Sequence, residues 1–386
     1  MSTAGNLPDS PATTALTALG GWSLFVALRL WQVGSGDIGT FVVAGTTWTD
    51  ASSGLPLYEG PGYDGQFFHR LATDPFSAAE RVAGTLLDTP ARLNRIGYPG
   101  LARVFGVAGL PAEWALVVVN LIAVMALGLL GGVIARSSGR HAMWGLLLPG
   151  YFGFAFSMSR NLAEVVATAA LVAALWAAHS GRHILGALAM TLAVLSRETV
   201  ILAVVVIGVV ELVGLLRRTR QVDSRDALWL APGLGLLIWQ IAVRDRWGEV
   251  PLLAGDVGRL RPPGSALIEQ LPTLVDPTWL GEGWLRATHT LEVVVLWGVV
   301  IWAATRLRQI DRGSPVVPAF VGLVVGASII DVTEGIWVDR NDLRMFADLY
   351  AVAVIVLLLT RVRLRLPVIG VGICTALASL SFLSGV

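Results

Sequence analysis

Four groups of ionisable residues in this chain have the types and spacing to do chemistry. The first is Gly62-Tyr63-Asp64-Gly65-Gln66-Phe67-Phe68-His69-Arg70, a polar turn that opens an aromatic segment. Asp64 stands between a tyrosine and a glycine, with Gly62 two residues before it, so the backbone can turn sharply and present the carboxylate on an edge. A carboxylate held at a membrane surface suits a general base that takes a proton from a hydroxyl. The competing role is local: Asp64 would N-cap a short helix running to Thr73. The second group is Arg160, Asn161 and Glu164. One helical turn would put Arg160 and Glu164 on one face, as a self-neutralising pair or as part of a site. The third is Arg197-Glu198, which interrupts an apolar stretch. Adjacent residues do not point the same way, so at least one needs a distant partner, and Arg197 is the candidate for a phosphate, with outward snorkelling as the alternative. The fourth is the turn holding Asp331, Glu334, Asp339, Arg340, Asp342 and Arg344, from which Arg340 and Arg344 are carried forward as phosphate contacts.

The elements that position these groups must lie in lipid. Of 386 residues 55% are hydrophobic and only 14% charged, with a mean hydropathy of +0.69. A soluble domain of this length could not hide so much apolar surface. A net charge of +1 and the lack of a separate basic tract give no footing for nucleic acid. Every basic residue is arginine, which fits a high-GC bacterial genome. The single Cys374 offers neither a disulfide framework nor a metal set. Met1 to Thr14 lacks a basic n-region and reads as a short cytoplasmic tail.

Apolar runs give roughly eleven membrane spans. They are Ala15 to Val33, Trp114 to Ala135, Ala142 to Met158, Leu162 to Ala178, Ile184 to Leu195, Thr199 to Leu216, Leu228 to Val243, Leu291 to Thr305, Val316 to Ile330, Met345 to Thr360 and Leu366 to Leu383. With the N-terminus inside, the short cytoplasmic connections carry thirteen arginines against three aspartates, which sets the orientation. The fold class is therefore all-α, one polytopic membrane domain over residues 1–386. The extracytoplasmic side holds a long loop from Gly34 to Glu113, a second from Arg244 to Thr290, and the compact turns with the ionisable groups. In the first loop, Asp64 to Thr73 and Pro75 to Leu87 read as interfacial helices. Gly100 to Leu110 is too short to span and dips into the outer leaflet. Arg29, near the end of the first span, has three roles open to it: snorkelling, pairing with Asp37, or meeting a lipid phosphate. His69 reads as a helix-face residue, and Asn120 and Gln240 as ties between helices.

An Asp in the first extracytoplasmic loop, interfacial helices after it and about ten further spans resemble the GT-C superfamily of membrane glycosyltransferases. The runs Tyr63-Asp64-Gly65-Gln66-Phe67-Phe68, Arg95-Ile96-Gly97-Tyr98-Pro99, Asn161-Leu162-Ala163-Glu164 and Leu195-Ser196-Arg197-Glu198-Thr199 resemble bacterial relatives of the polyprenyl-phosphate-dependent mannosyltransferases, distantly like GPI mannosyltransferase II. The resemblance implies a polyprenyl-phosphate-linked sugar as donor, a glycan or glycolipid acceptor and inverting transfer at the outer face of a bacterial plasma membrane. It makes Asp64 the base, and Gln66, Arg160, Glu164, Arg197, Glu198, Arg340 and Arg344 are the expected substrate contacts around it. The loop has no Asp-x-Asp or Glu-x-Asp pair, so a divalent cation, Mg or Mn, stays open and no metal ligand is assigned. On chemical grounds, a basic Asp64 calls for partial burial with few direct cationic partners. A non-enzymatic carrier of a lipid-linked saccharide is the rival reading, and it would place ionisable residues near mid-membrane.

Overall fold

The computed structural model describes residues 9–254, 284–329 and 341–383, with Pro262 and Ser265. Arg340 and the acidic residues from Asp331 to Asp339 lie outside the described residues, as does most of the second long loop.

The apolar runs form helices α1 (Pro11–Gln32), α4 (Ala112–Ser137), α6 (Glu164–His179), α7 (His183–Ser196), α8 (Ile201–Leu216), α9 (Ala227–Trp247), α11 (Trp284–Ala304), α12 (Val316–Ile329), α14 (Ala347–Leu359) and α15 (Arg365–Leu383). Between them stand the shorter α2 (Gly65–Thr73), α3 (Gly97–Val107), α5 (Gly153–Ser159), α10 (Pro251–Ala254) and α13 (Asn341–Met345). Among the described residues six helices are long and apolar enough to cross a membrane, and four apolar helices are shorter. The molecule is an all-α protein with the helices of a membrane protein. α14 is buried on every side from Ala347 to Leu358.

The expected span Ala142 to Met158 is not a continuous helix. A 3-10 turn over Ala142–Leu147 gives way at Pro149-Gly150, and only the seven residues of α5 follow. Proline lacks an amide donor and disfavours helix in the residue before it, so the α-helical ladder cannot pass through this point. The freed carbonyls are met by side chains from other helices, as a dry interior requires. Tyr350 Oη donates to Leu147 O at 2.8 Å and Trp22 Nε1 to Pro149 O at 2.8 Å, while Thr375 Oγ1 donates to Gly150 O. Gly145 lies directly on Gly131 of α4, where a Cβ would stand 2.1 Å from the Gly131 carbonyl carbon. The segment still joins the two ends of the bundle, so the alternation of the chain is kept.

One end gathers the arginine-rich connections. Asp9 pairs with Arg136, and Arg140 donates to the carbonyls of Leu358, Thr360 and Val362. His179 meets Ser314 at 3.1 Å and His183 meets Ser224 at 2.8 Å. The opposite end brings together the start of α6, the end of α7, the turn before α14 and the first loop. The arginine excess at the first end is the basis for expecting that end to face the cytoplasm. A reporter active only in the cytoplasm should therefore be active when fused after Arg220 or Arg363 and silent after Asp64. Activity after Asp64 would reverse the orientation.

The first loop differs from expectation in two places. α2 forms as expected but is buried from Gly65 to Ala72 rather than lying on lipid. Pro75 to Leu87 is not a helix: β3 (Arg81–Val82) and β4 (Thr85–Leu86) form an antiparallel hairpin, while β1 (Ala44–Gly45) and β2 (Leu57–Tyr58) pair in parallel. The hairpin turns at Ala83 and Gly84, both with positive φ, the geometry tight two-residue hairpins demand. α3 begins beside Leu116 and Asn120, where Tyr98 Oη donates to Leu116 O and accepts from Asn120. That is about two turns, or 10 Å, into α4. The chain then climbs to the turn at Gly109, so the first loop reaches below the helix ends.

Candidate active site

Asp64 sits immediately before α2 but caps nothing: its side chain makes no bond to the helix N-terminus. Its backbone is fixed by close approach of main chains. A Cβ on Gly65 would stand 2.4 Å from the carbonyl oxygen of Arg160, and one on Gly45 would stand 2.1 Å from the amide nitrogen of Gly62. Gly65 thereby lets the loop sit directly on the end of α5.

Three guanidinium groups surround the carboxylate. Arg92 Nη1 donates to Asp64 Oδ1 at 2.6 Å, Arg95 Nη1 to Oδ2 at 3.2 Å, and Arg344 Nη2 to Oδ2 at 3.5 Å. Arg92 and Arg95 lie on the 3-10 turn Pro90–Arg95, which Thr89 caps by accepting from Ala91. A 3-10 helix repeats every three residues, so both arginines project from the same side. The turn is pinned to α9: Trp239 Nε1 donates to Leu93 O at 2.6 Å, and Gln240 Nε2 to Asn94 Oδ1 at 2.7 Å. Gln240 and Asn120 thus act as ties, Gln240 joining α9 to the loop.

Each arginine also holds a second carboxylate. Arg92 grips Asp88 through Nε and Nη2 at 3.0 and 2.8 Å. Arg95 grips Glu198 in the same two-pronged way, at 2.9 and 2.8 Å. Arg344 Nη1 donates to Glu164 Oε1 at 2.8 Å, and Ser157 Oγ donates to Glu164 Oε2 at 3.1 Å. The guanidinium of Arg92 also stacks over Phe67, and that of Arg344 over Tyr63. The result is one carboxylate at the hub of three arginine–carboxylate arms.

Burial pushes the Asp64 carboxyl up, but the charges of Arg344, Arg92 and Arg95 outweigh it and hold it at about 2. Arg92 and Arg95 are driven above the ordinary arginine range, because their carboxylate partners overcome the cost of burial. The expectation of few cationic partners around Asp64 is therefore overturned.

The other expected contacts divide. Glu164, Glu198 and Arg344 join Asp64. Arg160 and Glu164 do not share a helix face: α5 ends at Ser159, Asn161 takes a positive φ of 50°, and Glu164 starts α6. The Arg160 guanidinium lies instead over Phe156 at 4.0 Å and faces Phe382 and Tyr63. Gln66 is fully buried and braces the loop, its carbonyl accepting from Gly45 and Thr49 and its amide donating to Pro61 O. Arg197 is buried and turned inward, donating to the carbonyl of Arg344 at 2.8 Å and to Met345 Sδ, with Asp348 at 3.9 Å. As C-cap of α7 its side chain is directed at the turn before α14 rather than out toward a phosphate or solvent. Arg29 neither snorkels nor pairs with Asp37: it is buried and donates to the carbonyl of Phe382, and Asp37 instead caps a 3-10 turn. His69 meets Glu113 at 3.4 Å.

Arg92, Arg95 and Asp88 were not singled out from the sequence as site residues. The spacing of Asp88 and Arg92, four apart and just before a proline-started turn with Arg95, was the available signal. Among the described residues no group of three or more His, Cys, Asp or Glu side chains could hold a metal ion. The described carboxylates at the hub, Asp64, Asp88, Glu164 and Glu198, are each paired with arginine. An apolar cavity of 820 Å³ lies elsewhere, between the broken crossing and α15, lined by Trp144, Leu147, Val371 and Thr375 among others. It contains none of the site residues. No family model, curated protein or solved structure matches the chain.

Proposed function

We propose that the protein is an inverting, GT-C type glycosyltransferase. It would move a sugar, mannose-like or another, from a polyprenyl phosphate to a cell-envelope glycan or glycolipid at the extracytoplasmic face of a bacterial plasma membrane. The observation that carries this reading is the Asp64 hub: a carboxylate within 2.6–3.5 Å of Arg92, Arg95 and Arg344 at one end of an apolar bundle. A polyprenyl chain partitions into lipid and delivers its sugar phosphate at this level. In the reaction, the acceptor hydroxyl gives its proton to Asp64 while its oxygen forms a bond to the anomeric carbon. The bond from that carbon to the phosphate oxygen breaks, and its electron pair leaves on the polyprenyl phosphate. Arginines already placed around the site stabilise the charge that develops there.

The carrier reading differs in outcome, since a carrier would move the lipid-linked saccharide without cleaving it. The purified protein, given synthetic polyprenyl-phosphate sugars and candidate acceptors, should release polyprenyl phosphate and extend the acceptor. A folded protein that instead relocates an intact lipid-linked saccharide across a vesicle membrane would replace the enzyme by a carrier.

A further inference from the structure

The three arms share a geometry that a simple ion-pair cluster does not require. Asp88 and Glu198 each take two donors from their arginine, and Glu164 takes a shorter bond from Arg344, at 2.8 Å, than Asp64 does at 3.5 Å. Asp64 takes only one donor from each of the three. The outer acids thus fix the guanidinium planes, and one N–H of each is directed at the Asp64 carboxylate, Arg92 at Oδ1 and Arg95 and Arg344 at Oδ2. Three such edges of rigid, permanently charged forks match the oxygens of a tetrahedral oxyanion better than the two oxygens of a carboxylate. Asp64 must share Oδ2 between Arg95 and Arg344, at 3.2 and 3.5 Å.

We infer that Asp64 is the resident anion of a three-arginine phosphate site, and that a phosphate group and the Asp64 carboxylate compete for the same guanidinium edges. Asp88, Glu198 and Glu164 are the positioning residues of that site. The inference rests on the Asp64 hub being the functional site, not on sugar being transferred. It gives the hub a switch. While the arginines engage Asp64, its carboxylate is a poor base. When a phosphate draws their edges away, Asp64 loses its cationic partners and becomes basic beside the group that has just bound. The charged and titratable groups facing Asp64 in this exchange are Arg92 and Arg95 from the 3-10 turn, Arg344 from α13, and Tyr63 beside it, with Glu164, Glu198 and Arg160 in the surrounding layer.

The test measures phosphate binding to the full-length protein in detergent, using inorganic phosphate and a short-chain isoprenyl phosphate as probes. Removing a competing charge at contact distance should tighten binding, so Asp64→Asn should bind phosphate at least about tenfold more tightly than the wild type. Asp64→Glu keeps a resident anion and should stay near the wild-type affinity. Tightening with both probes marks a site for phosphate as such, and tightening with the isoprenyl probe alone marks one for a lipid-linked phosphate. A folded Asp64→Asn protein that binds both probes no better than wild type overturns the competition. Should Asp64→Asn not fold, the wild-type protein gives the answer by arginine modification. The Arg92 and Arg95 side chains are 29% and 20% exposed and open to phenylglyoxal. Saturating phosphate should protect both, and labelling unchanged by phosphate would refute the site. Sugar transfer is read in neither assay, so competition without transfer would remove the enzyme reading alone.

Discussion

Asp64→Asn should lower sugar transfer by about 10²–10⁴-fold, the usual range for losing a positioned base, while the protein remains folded. Asparagine keeps the size and one acceptor oxygen of the side chain but cannot take the acceptor proton. The arginines around it lose one partner each and keep another: Asp88 holds Arg92, Glu198 holds Arg95 and Glu164 holds Arg344. No helix cap is lost, because Asp64 caps none. The variant should also bind donor more tightly, so kcat and KM should fall together. Transfer kinetics measured beside thermal unfolding read all three effects. A folded variant that transfers at the wild-type rate would take Asp64 out of the chemistry.

Arg197→Met should destabilise the fold by about 3–5 kcal/mol, the cost of breaking a buried charge pair from one side. The substitution keeps length and apolar stem but leaves Asp348 buried without its counter-charge, held by Thr168 at 2.7 Å. It also removes the donor to the Arg344 carbonyl, so Arg344 should loosen its hold on Glu164 and Asp64. The double variant Arg197→Met with Asp348→Leu should recover much of the stability, since neither charge is then stranded. Denaturation followed by tryptophan fluorescence in detergent reads the cycle. If Arg197→Met melts like the wild type and only donor use weakens, Arg197 faces a ligand after all.

Long apolar runs are readable because lipid rewards each residue of a span independently of its neighbours in space. Ten of the eleven expected spans coincide with helices, and among the described residues six helices are long and apolar enough to cross a membrane. The exception, Ala142 to Met158, was apolar enough, and the Pro149-Gly150 break was in plain view. What hydropathy does not register is that Trp22, Tyr350 and Thr375 would meet its carbonyls from three other helices. The expected sidedness rests on arginine placement alone, while the described connections gather at two ends of the bundle in alternation. Asp64 stood out because a lone carboxylate flanked by aromatic residues is conspicuous in such a chain. Arg344 is marked by the sequence only as a phosphate contact, and Arg92 and Arg95 not as site residues, because as partners of Asp64 they lie 280, 28 and 31 residues away. Pattern spacing sees neighbours on one helix, which is why Arg160 and Glu164 looked paired and Arg344 with Glu164 did not. Arg197 misled for a related reason: an arginine interrupting an apolar run reads as exposed unless the carbonyl and carboxylate that receive it are known.

The most direct test is a structure of the protein with a polyprenyl phosphate bound. The phosphate should lie within hydrogen-bond distance of Arg92, Arg95 and Arg344, with the Asp64 carboxylate released from at least two of them and turned toward the space where an acceptor would sit. A phosphate bound at another place, with Asp64 still held by all three arginines, would contradict the account.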